Sequence, residues 1–312
     1  MRRCVPVFGT GLNLQAAAME GYPHRDDWAT LLLKIGERIG MSRADVAKLP
    51  RAPLALWERM LCGWATHLKV YPYQAERDLQ AMVCELLRQQ EVECRTFRLY
   101  QTVVSAGFED IVSLNFDRRI ALAARKSTFL VGPNPCPYGS HGESLFRHSC
   151  VPQSGGGETR VWYPHGDVKK ANTIKLGVRK YGFYLALFRE HTEGLARAWR
   201  YKPNSLQVAR TSSSPAASRA IDSPDSRAPS CFDLFLSRPL VFIGCGLSAD
   251  EWPLWWLLRQ RALSRRAPPV YHLTIGGSPA RPPHFRLSPE LRVVSFGSPQ
   301  ELWDAVGEWF AS

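Results

Sequence analysis

Apolar positions along this chain change period, and the changes mark its elements. A short apolar run over 4–8 stops at the glycine turn "GTGLN", and a helical stretch begins soon after. From residue 26 onward Trp28, Leu31, Leu32, Ile35 and Ile39 recur on one helical face, with Asp26 or Asp27 as the cap. Leu79, Met82, Val83, Leu86 and Leu87 draw the same stripe over 74–89, and a further helix is expected over 95–105, stopping at Gly107. "DIVSL" then reads as a buried strand that ends on an amide and an acid, Asn115 and Asp117.

The second half continues the alternation. "TRVWYPHGD" predicts a strand ending on His165, Gly166 and Asp167, and residues 174–200 predict a turn followed by a helix. "RPLVFIGCGLSADEWPLWWLL" predicts an apolar strand, a glycine turn and a helix. Two strands, "VYHLTIG" and "LRVVSFG", and an amphipathic helix over 299–310 close the chain, and no internal repeat is present. Apolar strands alternating with helices imply an α/β fold: a Rossmann-like parallel sheet flanked by helices, with helical insertions forming a smaller lid region. The expected organisation is a single domain over 1–312. It carries a helical insertion over about 20–105, a flexible Gly/Pro/Ser loop over about 132–159, a lid helix over about 174–200 and a flexible linker over about 203–230.

Composition narrows the class. The chain has 312 residues, 45% of them hydrophobic and 22% charged, as in ordinary globular proteins. No apolar run is long enough to span a bilayer, and the start, "MRRCVPVFGTG", lacks the pattern of a secretion signal, so no membrane association and a cytoplasmic location are expected. Eight cysteines at unpaired spacings, several in apolar stretches, fit a reducing compartment. Cys136, His141, His148 and Cys150 do not match zinc-finger spacing, so no metal is expected. The net charge of +12 is uneven: residues 1–150 carry 19 basic against 15 acidic side chains, and residues 151–312 carry 21 against 13. The basic clusters in "DVKKANTIKLGVRKYGFYLALFREH" and "RQRALSRR" read as solvated helix faces, although a basic rim also suits a polyanionic ligand. "EWPLWWLL" is open to two readings, a contact surface or a buried helix.

The ligand site of such a fold lies at the carboxyl ends of the strands. Four strand ends there carry polar or glycine signatures: "FGTGLN" (8–13), "LNFD" (114–117), "YPHGD" (163–167) and "FIGCGLSADE" (242–251). Each has a plain structural alternative. A Gly-x-Gly turn brings backbone N–H groups up to a pyrophosphate or simply turns tightly, and here Leu14 stands where a third glycine would complete a dinucleotide fingerprint. Asn115 and Asp117 are also common turn and cap formers, and a lone histidine is often structural.

In this order and at these spacings the four elements resemble the sirtuin-like NAD-consuming family, and more closely its bacterial stand-alone or effector-type branch, associated with anti-phage NAD depletion. "GTGLN" is similar to that family's Gly-Ala-Gly-x-Ser turn, "SLNFD" to its Thr-x-Asn-x-Asp element, "PHGD" to its His-Gly pair, and "GCGLSADE" to its Gly-x-Ser-x-x-Asp/Glu element. The segment "IKLGVRKYGFYL" is similar to the branch's lid region. The resemblance implies NAD as substrate. Asn115 would fix the nicotinamide ribose or position water, Asp117 would bond the carboxamide or orient Asn115, and His165 would act as general base. Gly9, Thr10, Gly11 and Asn13 would hold phosphate, and Gly244, Gly246 and Ser248 would line the adenosine ribose. Asp250 is read equally as a helix cap or a ligand contact.

Cys231 is the single cysteine between His165 and Gly244, so the zinc ribbon of protein deacylases cannot be built there, and the Gly-Ile-Pro-Asp-Phe-Arg run of deacylases is absent. An NAD glycohydrolase is therefore expected. The alternatives are a non-catalytic NAD or ADP-ribose sensor module and an NAD-dependent protein deacylase. Such an enzyme needs restraint, which implies a regulatory protein partner (an ATPase, a nuclease-like protein or a nucleic-acid-guided sensor), a homo-oligomer or both, with any nucleic-acid contact indirect.

Overall fold

Three short strands, β1 (Val5–Phe8), β2 (Asp110–Ser113) and, later in the chain, Leu240–Ile243, are buried at every position. Strands covered by helices on both faces need that composition. The computed structural model describes residues 4–22, 28–42, 44–45, 53–93, 98–124, 127–130, 143–153, 156–201, 230–263, 267–276 and 290–311. The remaining strands are β3 (Thr128–Leu130), β4 (His148–Pro152), β5 (Glu158–Trp162), β6 (Leu240–Ile243), β7 (Val270–Ile275) and β8 (Leu291–Phe296). They form one eight-stranded sheet in the order β3-β4-β5-β2-β1-β6-β7-β8. The six strands from β5 to β8 are parallel, and β4 runs antiparallel between β5 and β3. Numbered among themselves in chain order, the parallel strands follow the doubly wound order 3-2-1-4-5-6, so the fold is Rossmann-like α/β and its switch point lies between β1 and β6.

Alternation along each strand divides the core in two. Val5, Val7, Val112, Leu240 and Phe242 face one side, where they meet helices over Gly177–Tyr201, Cys231–Ser237 and Trp252–Ala262. Phe8, Ile111, Val161, Val241 and Ile243 face the other, where they meet α1 (Thr10–Met19), a helix over Arg98–Ser105 and the last helix, Pro299–Ala311. A third core is built by α2 (Trp28–Arg38), α3 (Pro53–Leu68) and α4 (Pro72–Glu93), which close on Phe116, Val168, Ile174 and Leu176. The remaining helices are α5 (Arg98–Ser105), α6 (Arg119–Leu122), α7 (Gly177–Tyr201), α8 (Cys231–Ser237), α9 (Trp252–Ala262) and α10 (Pro299–Ala311).

The structure changes several expectations. The helical insertion ends with α4: Leu99, Tyr100 and Val103 of α5 pack on the sheet, so α5 is a layer helix and not part of the lobe. Helix α3 fills a part of the expected helical insertion for which no individual helix was predicted, and Leu56, Trp57, Met60, Leu61 and Ala65 are its buried stripe. The stretch over 132–159 is not all loop. A 3-10 turn over Glu143–Leu145 and strand β4 lie inside it, and residues 131–142 and 154–155 are outside the described residues.

The expected lid is docked. Phe188 of α7 packs against Phe232 of α8 and Trp256 of α9, with ring centroids 4.8 and 6.0 Å apart. The Trp-rich segment is a buried helix in the described chain, with Leu254, Trp255, Leu257 and Leu258 all in the core. The basic clusters are partly structural too. Lys175 and Lys180 are buried, and burial lowers Lys180 to a pKa of about 8. Arg261 donates to the carbonyls of Phe235, Arg238 and Pro268 at 2.6, 2.7 and 2.5 Å, tying α8 and α9 to the entry of β7. The expected linker lies outside the described residues over 202–229, and Ser230 opens α8 as its N-cap, accepting from the Asp233 N–H. Among the described residues, no helix is long and apolar enough to cross a membrane.

Candidate active site

The two glycine turns at the switch point touch backbone to backbone. Gly9 ends β1 and caps α1, its N–H donating to the Ile243 carbonyl at 3.2 Å, and the Gly11 N–H donates to the Gly244 carbonyl at 2.9 Å. A Cβ on Gly9 would stand 2.6 Å from the Gly244 carbonyl oxygen, and one on Gly11 2.6 Å from the Gly244 Cα. Gly244 itself has φ +63°, in the left-handed region that side chains avoid. The close contact of the two turns therefore explains Gly9, Gly11 and Gly244 without a pyrophosphate. Thr10, the first residue of α1, sits between the two engaged donors.

Next to this contact lies the turn that follows β2. Leu114 joins it to β1, donating its N–H to the Phe8 carbonyl at 2.8 Å. Asn115 is buried, and its Nδ2 donates to the Gly9 carbonyl at 3.1 Å. Asp117 is buried and accepts from Asn13 Nδ2 at 2.8 Å and from the Arg119 N–H at 3.2 Å, while Tyr100 donates to Asn13 Oδ1 at 2.8 Å. Asn13 is thus tied to Asp117 and Tyr100 and lies inside the protein, which makes it a holder of Asp117. Glu91 at the end of α4 accepts from the Arg118 N–H at 2.6 Å. Burial, with the Asp117 carboxylate beside it, raises the Glu91 carboxyl to about 7 against the pull of the Arg118 N–H.

His165 follows β5 in a tight turn. Gly166 has φ +96°, and a Cβ there would stand 2.2 Å from the Thr173 carbonyl, so the chain folds back on itself directly after the histidine. The imidazole is buried beside the Leu114 carbonyl, and its Nε2 lies 3.8 Å from Glu251 Oε2. Burial lowers its pKa and the Lys175 charge adds to that, while Glu251 and the Leu114 carbonyl oppose them. Tyr181 of α7 donates to the same Glu251 oxygen at 3.4 Å. The histidine also borders an apolar cavity whose walls include Leu145, Pro164, Tyr184, Phe188 and Leu254. Behind the turn, Asp167 is fully buried and accepts from Arg147 Nε and from the Lys169 N–H at 2.8 Å, and Arg147 reaches Glu143 at 2.7 Å.

The four strand ends thus meet in one place. Direct bonds run from Leu114 to Phe8, from Asn115 to Gly9 and from Gly11 to Gly244, and His165 Nε2 faces Glu251 beyond the last turn. Gly246 and Ser248 stand apart on the exposed side of the last turn, where Ser248 uses its carbonyl to accept from the Trp255 indole at 2.9 Å. Asp250 is half-buried beside Glu251, and Glu251 is the N-cap residue of α9. Sequence reasoning missed Tyr181, Arg147 and Glu143 and did not single out Glu251. The only sequence signal for Glu251 was its place at the end of "GLSADE".

Among the described residues no group of three or more metal-binding side chains is present. Cys136 and His141 lie outside those residues, and the His148 ring packs on Trp162 with centroids 4.5 Å apart. In comparisons with known proteins, no family model and no curated sequence matches the chain.

Proposed function

We propose that this chain is an NAD glycohydrolase of the sirtuin-like kind. The observation that carries the reading is the convergence, beside the switch point of a doubly wound sheet, of Asn115, bonded to the Gly9 carbonyl, and His165, whose Nε2 faces Glu251. Dinucleotides bind at that place in this architecture.

The reaction breaks the bond between the nicotinamide nitrogen and C1′ of the ribose. The bond's electron pair leaves with nicotinamide, positive charge grows on the ribose, and a water oxygen forms the new bond to C1′, releasing one proton and giving ADP-ribose. Asn115 spends one side-chain amide hydrogen on Gly9, and its side-chain oxygen Oδ1 takes no hydrogen bond from the described residues, so it can orient the ribose or the water. His165, kept neutral by burial, can take the proton. Asp117, held by Asn13 and Arg119, fixes the turn that presents Asn115. The N–H groups of Gly9 and Gly11 already have protein acceptors, so phosphate binding at the first turn rests on Thr10 unless Gly244 moves away. Gly246 and Ser248 offer an open edge for the adenosine ribose.

Cys231, the only cysteine between His165 and Gly244, lies fully buried at the start of α8. It cannot serve a zinc ribbon there, which favours hydrolysis of NAD over protein deacylation. Restraint of such an enzyme in the cytoplasm would come from a regulatory protein or from self-association, in keeping with an anti-phage effector. Incubation with NAD in 18O-labelled water, alone and with candidate activating proteins, tests the reading. Nicotinamide and ADP-ribose carrying one 18O are expected. NAD binding without nicotinamide release under every condition would support a sensor instead.

A further inference from the structure

The last turn before α9 ends on a carboxylate that the helix does not use. Glu251 occupies the N-cap position, where an acidic side chain ordinarily accepts from the first free N–H groups of the helix. Here it makes no such bond. Its carboxylate turns back across the strand ends, accepting from Tyr181 at 3.4 Å and facing His165 Nε2 at 3.8 Å. The Glu251 side chain is 27% exposed and the imidazole 6%, so the carboxylate reaches solvent while the ring does not.

The surroundings of the ring leave that carboxylate one clear role. The imidazole lies beside the Leu114 carbonyl, and the rings of Phe116 and Tyr181 lie 6.4 and 6.3 Å away. The charged groups that bear on it are Lys175, from the turn before α7, and Glu251, from the head of α9. Asp250 bears on Tyr181, as does Tyr184. In the neutral tautomer with its hydrogen on Nδ1, Nε2 keeps a lone pair toward Glu251. When Nε2 takes up a proton, the new N–H meets a carboxylate at ion-pair distance.

We infer that Glu251 is the positioning residue for His165: it stabilises the imidazolium formed when the ring accepts a proton, and Tyr181 holds its carboxylate in place. This rests on reading His165 as the base of an NAD glycohydrolase. Burial and Lys175 weaken the ring as a base, and the Glu251 carboxylate opposes them.

The test follows the His165 imidazole by NMR across pH, with its signal assigned by its absence in His165→Gln, alongside nicotinamide release. Glu251→Gln is expected to lower the His165 pKa by about one unit and to lower kcat roughly tenfold or more with little change in KM. Glu251→Asp should recover part of both, and Tyr181→Phe should move both in the same direction by less. A folded Glu251→Gln protein with an unchanged His165 titration overturns the inference. If that variant fails to fold, unchanged titrations in both Glu251→Asp and Tyr181→Phe overturn it equally. A shifted titration in a protein that releases no nicotinamide under any condition would end the glycohydrolase reading and leave the Glu251–His165 coupling standing. Wild-type turnover and pH profile in Glu251→Gln would do the reverse.

Discussion

Two polar clusters flank the switch point, and they are bonded very differently. Around Asp117 the contacts are short and enclosed: Asn13 at 2.8 Å, Tyr100 on Asn13 at 2.8 Å, and Glu91 on the Arg118 N–H at 2.6 Å. Around His165 they are longer and reach solvent, with Tyr181 on Glu251 at 3.4 Å and the Nε2 to Glu251 approach at 3.8 Å. A buried group with short partners on every side is committed to holding the chain, and removing one partner strands the others. A loosely paired group next to an open edge keeps bonding capacity for a ligand. On the proposed reading, the Asp117 cluster is framework and the His165 corner carries the chemistry.

The largest effect expected from that contrast is on rate. Asn115→Ala should cut nicotinamide release at least a hundredfold, measured as initial velocity at saturating NAD, while far-ultraviolet circular dichroism stays that of the wild type. Next is stability. Asp117→Ala leaves the Asn13 amide and the Arg119 N–H without their acceptor, and should cost about 2–4 kcal/mol in urea unfolding. Gly244→Ala adds a Cβ 2.9 Å from the Gly11 Cα at a position with φ +63°, and a loss of about 1–3 kcal/mol is expected from the same measurement.

The smallest effect is a gain. Glu91 has a folded pKa of about 7 against an ordinary 4.5, so the folded protein keeps a proton that the unfolded chain releases. Its contribution is fully present below about pH 4.5 and is lost as pH rises through 7. Glu91→Gln mimics the protonated form. It should raise stability at pH 8 and do so clearly less at pH 5, compared by thermal melts at the two pH values. Equal effects at both would remove Glu91 from the strained part of the framework.

Much of the fold was legible because its causes are local. The apolar runs at β1, β2 and β6 announce strands buried on both faces, and the stripes of α2 and α4 carry helical period. Strand β4 was not, because "HSCVP" is short, ends in proline and sits among glycines, so its strand character comes from pairing with β3 and β5. The glycines of both turns were visible, but their reason was not: backbone contact between Gly11 and Gly244 depends on two strands that are neighbours only in the folded sheet. The same holds for the site. Asn115 and His165 could be picked out at strand ends, whereas the pairing of His165 with Glu251 and the capture of Asn13 by Asp117 exist only once four strand ends meet. The basic clusters misled for a related reason, since Lys175, Lys180 and Arg261 are buried by elements distant in the chain.

The division between framework and chemistry is tested most directly by His165→Ala, with nicotinamide release and melting temperature measured on the same preparation. The account expects release to vanish while the melting temperature stays within a few degrees of the wild type. Wild-type release in this variant, or loss of release only together with loss of the fold, would contradict it.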